Sequence, residues 1–354
     1  MVVVNGRWVS LNLRLISRFN LDVINDRFVN SDKSLLQQAL QYLGQLVTNP
    51  LIEDGAFRSS YVDAEKETVK KQLESVINDK MRYASQRCQE EMFVGEPMSL
   101  NALGRLNDLQ SITAASLYSR YSQWLSEAKF DLYVVGDTTL EEVTSIVQQS
   151  FNMPVNRALP IEYVDINKKV NRVKTIVDQL DVTQGKLNLG LRIPASYGNG
   201  NVASALVYNG ILGAFPHSKL FMNVREKESL AYYCYSSFDS YKGLLTIQSG
   251  IEFANYKKAL DIIEEQLKLL REGQISDNEL QQTKAMLSNS LRETLDGAYD
   301  IINFDYTTSY YNIELTIEQL VSEVEAATID DIVAIANQVE LDTIYFLRNR
   351  EEVS

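Results

Sequence analysis

The order in which apolar periods recur along this chain constrains its fold more than any single motif does. In the first half, the alternating stretch "GRWVSLNLRLISRF" leads into "NLDVINDRFV", and both are predicted as strands. "KSLLQQALQYLGQLV" follows, with Leu35, Leu36, Leu40, Leu43 and Val47 at helical spacing, which predicts an amphipathic helix. "SSYVDAEKETVKKQLESVINDK" predicts a long helix that opens on Ser and Asp, good cap residues. The continuous apolar run "FDLYVVGD" then predicts a buried strand. The second half repeats that order with "LAYYCYSSF", "GLLTIQSGIEF", "YKKALDIIEEQLKLLREG", "ISDNELQQTKAMLSNSLRETLD" and "LDTIYFLRN". The implied fold class is α+β: a duplicated domain, each copy a mostly antiparallel sheet covered by helices on one face.

The repeat also has a gap. Before "LAYY" the second half carries two more predicted strands, "TIVDQL" and "KLNLGLRIP", a loop "SYGNGN" and a helix "VASALVYNGILG", whereas only residues 1–7 precede Trp8. The first domain is therefore expected to be incomplete at its N-terminus. A length of 354 residues suits two domains of about 150 residues or more. They are expected at 1–152 and 173–354, joined by a linker at 153–172, where "NMPVNRALPIEYVDINKKVNR" breaks every period with two prolines.

A net charge of −13 argues against nucleic acid and anionic membrane surfaces as partners. Two distant cysteines, Cys88 and Cys234, give no disulfide framework and are expected as small buried hydrophobes. The opening "MVVVNGRWVS" has no signal-peptide pattern, and no apolar run reaches the roughly 18 residues of a membrane span. The expected location is cytoplasmic.

One stretch holds unusual chemistry. "FPHSKLFMNVREKESLAYYCYSSF" places Arg225 at the end of an apolar helix face formed by Leu220, Phe221 and Val224, and Tyr232 seven positions on, in the next strand. It closely resembles the second-domain signature of the pitrilysin-type metallopeptidases, the inverted zincins. "AEKETVKKQLESVINDKMRYASQRCQEEMF" resembles the helix after that family's zinc site, and more closely the form in a catalytically silent bacterial branch. That branch is associated with the 5-aminopentanol modification of elongation factor P and is encoded beside a zinc-bearing relative. The resemblance covers nearly the whole chain. It implies that Arg225 and Tyr232 contact a substrate backbone and support a developing oxyanion, since a fixed cation and a phenol are strong donors to a carbonyl oxygen.

The active family's zinc motif is missing. H-x-x-E-H needs two histidines on one helix face, and His217 is the only histidine in the chain. Glu65 or Glu67 lies near the third-ligand position, but the two read as a pair of solvated acids in the first turn of a helix, favoured by its dipole. No metal or other cofactor and no catalytic residue is expected. His217 itself sits in "FPHSKLF", which reads as a helix start with Pro216 pre-setting φ and Ser218 available for capping, making it a first-turn surface histidine rather than a general base. No phosphate loop and no nucleophile elbow occurs. Tyr232, Tyr233, Tyr235, Tyr299, Tyr306, Tyr310 and Tyr311 offer either a peptide-binding surface or ordinary half-buried sheet and interface positions.

The resemblance implies a non-catalytic peptidase-like subunit. It would pair with a zinc-bearing homologous subunit, or form a homodimer when alone, to bind or process a peptide or protein substrate. The alternatives are a stand-alone binding scaffold of the elongation factor P pathway and an N-terminally truncated zinc metallopeptidase.

Overall fold

The computed structural model describes residues 3–11, 14–29, 34–151, 166 and 168–350. Most of the expected linker therefore lies outside the described residues. The chain forms two compact units, Met1–Ser75 with Asn101–Glu162, and Val76–Leu100 with Tyr163–Ser354.

In the first unit, the alternating N-terminal stretch is a hairpin, β1 (Val3–Leu11) and β2 (Arg14–Asp22), paired antiparallel with Leu11 opposite Arg14. The strand boundary thus falls inside the stretch predicted as one strand, and Asp26–Phe28 is a 3-10 turn. Helix α1 (Leu35–Thr48) is capped by Ser34 and buries Ala39, Leu40, Leu43 and Val47. A second small hairpin, β3 (Ile52–Glu53) and β4 (Ala56–Phe57), precedes α2 (Ser59–Ser75). The predicted long helix stops there: Val76–Asn78 is a 3-10 turn, and Asp79 caps a new helix, α3 (Lys80–Met92), which belongs to the second unit.

Helix α4 (Ala114–Glu127) follows, and α5 (Leu140–Ser150) packs beside α1. There Gly44 leaves no room for a Cβ, which would stand 2.5 Å from the Ser150 carbonyl oxygen. The run Phe130–Asp137, expected as a buried strand, pairs with no strand among the described residues, and Phe130, Leu132 and Val135 are exposed. Its second-half counterpart lies between two strands that have no equivalent among the described residues of this unit. An apolar run of this kind is a strand only where neighbours take up its backbone groups.

The second unit contains the full sheet. Strands β5 (Lys174–Gln179), β6 (Gly185–Arg192), β7 (Ala231–Asp239), β8 (Leu244–Ile251) and β9 (Glu340–Arg348) run in the order β5-β9-β6-β8-β7, with only β5 and β9 parallel. Helices α6 (Val202–Asn209), α7 (Tyr256–Arg271), α8 (Asp277–Glu293), α10 (Ile317–Ala326) and α11 (Ile329–Ala336) supply the main core, and α9 (Ala298–Tyr311) lies between α8 and α10 in the chain. The "KLNLGLR" of β6 explains both faces. Leu187, Leu189 and Leu191 enter the main core, while Asn188, Gly190 and Arg192 turn to the other side, where α3 packs. Gly190 is needed there, because a Cβ would meet the Met92 sulfur at 2.7 Å.

An ion cluster fixes α3. Arg192 donates to Glu96 at 2.6 Å, to Asp342 at 2.9 Å and to the Met92 carbonyl at 3.3 Å; Arg192 and Asp342 are buried and Glu96 is partly buried. Burial pushes the Glu96 carboxyl up, but its bonds to Arg192 and Lys168 outweigh that and hold it below its ordinary range.

Candidate functional site

The candidate site grows from a helix end. After α6, a π-helical segment Gly210–Ala214 and a turn through Pro216 lead to a second π-helical segment, Phe221–Lys227. Leu220 and Val224 are fully buried, so they orient this segment on the sheet. Phe221 is only half-buried, and the Arg225 guanidinium lies over its ring, 4.6 Å from the centroid. Arg225 Nε is also 3.7 Å from Glu226, and 44% of its side chain remains exposed. The segment closes when Leu230 N–H donates to the Val224 carbonyl, which requires Ser229 at φ +52°.

Tyr232 is placed by a β-bulge. Ala231 pairs with Ile251 and Tyr233 with Gly250, so Tyr232 has no partner position on β8. The extra residue shifts the alternation: Ala231 and Cys234 both face the core, while Tyr232 and the half-buried Tyr233 do not. Gly250 permits this, since a Cβ there would strike the Tyr233 ring at 2.5 Å. Tyr232 is 66% exposed, and its hydroxyl donates to Glu252 Oε1 at 3.0 Å, just beyond the end of β8. That bond to a carboxylate raises the phenol pKa above its ordinary value. Glu228, on the intervening turn, is held by Lys258 at 2.6 Å.

Comparison with known proteins decides what this arrangement belongs to. The family described as "Peptidase M16 inactive domain" matches residues 111–287. The "Probable inactive metalloprotease YmfF" of Bacillus subtilis is 39% identical over 96% of this chain and 80% of its own length. This chain belongs to the M16 peptidase family. A conserved protein from Enterococcus faecalis, solved by crystallography, superposes with a TM-score of 0.90 at 33% identity, over 100% of this chain and 83% of that one. The "Uncharacterized zinc protease YmxG" of Bacillus subtilis is 26% identical over 45% of this chain and 39% of its own length. The expected two-domain α+β peptidase fold is therefore the M16 fold, and this member stands with the family's inactive metallopeptidases.

The donor set of this M16 chain does not fit zinc. Among the described residues, no group of three His, Cys, Asp or Glu side chains could hold a metal ion. Glu65 and Glu67 are both exposed on α2. His217, half-buried, stacks on Phe215 and shares a 2.8 Å hydrogen bond with Thr283, and burial lowers its pKa. Ser218 does not cap the following helix as expected; it is fully buried, and its hydroxyl has no hydrogen-bond partner among the described residues. Cys88 and Cys234 are buried free thiols, each pushed up to about 12 chiefly by burial, which makes them inert packing residues.

The tyrosines divide into two groups. Tyr310 and Tyr311 pack on each other and on Tyr241, with Tyr306 against Tyr310 and Tyr197 against Tyr311. Tyr233 and Tyr235 lie side by side, with Lys186 over the Tyr233 ring and the Tyr235 hydroxyl on Gln248. Among the described residues, no helix is long and apolar enough to cross a membrane. Sequence reasoning missed Glu252 and the Phe221 shelf. The only signal for Phe221 was its spacing four before Arg225, and Glu252 required knowledge of the β7–β8 register.

Proposed function

We propose that this chain is a non-catalytic M16 subunit that pairs with a zinc-bearing homologous subunit and binds a peptide or protein substrate through Arg225 and Tyr232. The observation that carries this reading is the way the two side chains are held. A closed π-helical end and a β-bulge both point polar groups outward from a rigid sheet, in a chain whose own donors do not fit zinc. Pairing is supported by the likeness of this chain to two Bacillus subtilis proteins, one described as an inactive metalloprotease and one as a zinc protease. The stretch 64–93 supports a place in elongation factor P modification, and two distant cysteines that give no disulfide framework support the cytoplasm as the location. In this role Arg225 supplies a fixed positive charge and Tyr232 a phenol to the substrate backbone, while the partner supplies the metal.

The experiment is to mix the purified chain with a zinc-bearing homologue from the same organism and measure peptide cleavage. Arg225→Ala and Tyr232→Phe should each leave folding and pairing intact, because neither removes a buried apolar group. Turnover of the mixture should fall by about 10²-fold. Unchanged cleavage by both variants would remove the catalytic-support role and leave a binding scaffold that holds its client without hydrolysis.

A further inference from the structure

The Tyr232–Glu252 hydrogen bond has a direction, and the direction limits what the site can offer. A phenol carries one proton, and an ionised carboxylate only accepts. The proton of Tyr232 therefore points at Glu252 Oε1, 3.0 Å away, and the groups left for a ligand are oxygen lone pairs. A peptide carbonyl needs a donor, and it is a weaker acceptor than the carboxylate already in place. Glu252 has no other side-chain partner among the bonds and ion pairs found for the described residues, whereas neighbouring Glu228 is neutralised by Lys258 at 2.6 Å. The bulge that frees Tyr232 from the β8 ladder brings its hydroxyl to the residue that follows that strand.

We propose that Glu252 is the positioning residue of this site: it holds the phenol proton of Tyr232, so Tyr232 serves a peptide carbonyl only when released from that carboxylate. This rests on the reading that Tyr232 faces a substrate backbone. Arg225 is the constant donor of the site, and Tyr232 is the conditional one. Glu252 thereby favours ligands that bring their own group to the carboxylate, an N–H or an ammonium, over those that bring a carbonyl alone.

Two measurements test this. The first uses the chain alone, with ring-labelled tyrosine followed by carbon NMR against pH, and Tyr232→Phe to assign the resonance. In the wild type the Tyr232 phenol should titrate above an ordinary tyrosine, and in Glu252→Gln and Glu252→Ala it should fall back toward that value. An unchanged titration in both variants would overturn the proposal. The second uses the mixture with the zinc-bearing homologue. Glu252→Ala should raise cleavage several-fold in the wild-type background and leave it unchanged in the Tyr232→Phe background. An equal effect in both backgrounds would show that Glu252 does not act through Tyr232 and would equally overturn it. If the wild-type mixture cleaves nothing, the pairing reading fails while the phenol titration still decides this one.

Discussion

Arg225 and Lys at the same position would not be equivalents. The guanidinium lies over the Phe221 ring, a contact that suits a flat delocalised cation and that an ammonium on a flexible stem reproduces poorly. Ser229 is the residue that lets Arg225 stand at a clean helix end, and it does so in the left-handed region, where a side chain is strained. Ser229→Gly should relieve that strain at the cost of a more flexible unfolded chain. The expected net gain is about 0.5–1 kcal/mol in chemical denaturation. A loss of stability in that variant would mean that the turn is not the one described. For Tyr232, exposed and with its hydroxyl bonded only to the surface carboxylate of Glu252, little stability change is expected on loss of the oxygen; its variants should report on binding and turnover.

At the scale of elements, α3 is held to the β6–β9 surface by Met92 packed on Gly190 and by the Arg192 cluster. Arg192→Met should cost about 3 kcal/mol, because it leaves the buried Asp342 without its cation and Glu96 with Lys168 alone. The pH dependence has a definite sign. The folded Glu96 carboxyl titrates below its ordinary value, so the stability it lends is fully present above the ordinary carboxylate range and is lost as pH falls through the depressed value. The gap between wild type and Arg192→Met should therefore be widest near neutral pH and narrow on acidification; a gap independent of pH would contradict the assignment. Much of this was legible in the chain. The Leu-x-Leu-x-Leu of β6, the apolar run of β9 and the Ser276 capping box of α8 each state their local structure in the residues themselves. The break before α3 was only partly legible: Val76, Ile77 and Asn78 are weak helix formers and Asp79 is a good cap, but the helical apolar spacing runs on across them. The fate of Phe130–Asp137 was not legible, since a strand depends on its neighbours, nor was the bulge at Tyr232, which exists only as a register between β7 and β8.

For the molecule as a whole, two parts matter: the M16 fold, and a donor set that among the described residues does not fit zinc, beside Arg225 and Tyr232, the pair proposed to face a substrate. The first part is shown by the family match and by the superposition on the Enterococcus faecalis protein. The second is why we propose that the chain is half of a catalytic unit. It should hold no stoichiometric zinc when purified alone, because it cannot assemble a nitrogen-rich tetrahedral set. Metal analysis giving about one tightly held zinc per chain would contradict that. The most direct test of the central claim is a titration of this chain into a fixed amount of the zinc-bearing homologue, with cleavage of a peptide substrate as the readout. The expected result is a rate that rises with added chain and saturates at equal amounts of the two, with Arg225→Ala saturating at the same ratio but about 10²-fold lower. A rate equal to that of the homologue alone at every ratio, with no complex formed, would contradict it.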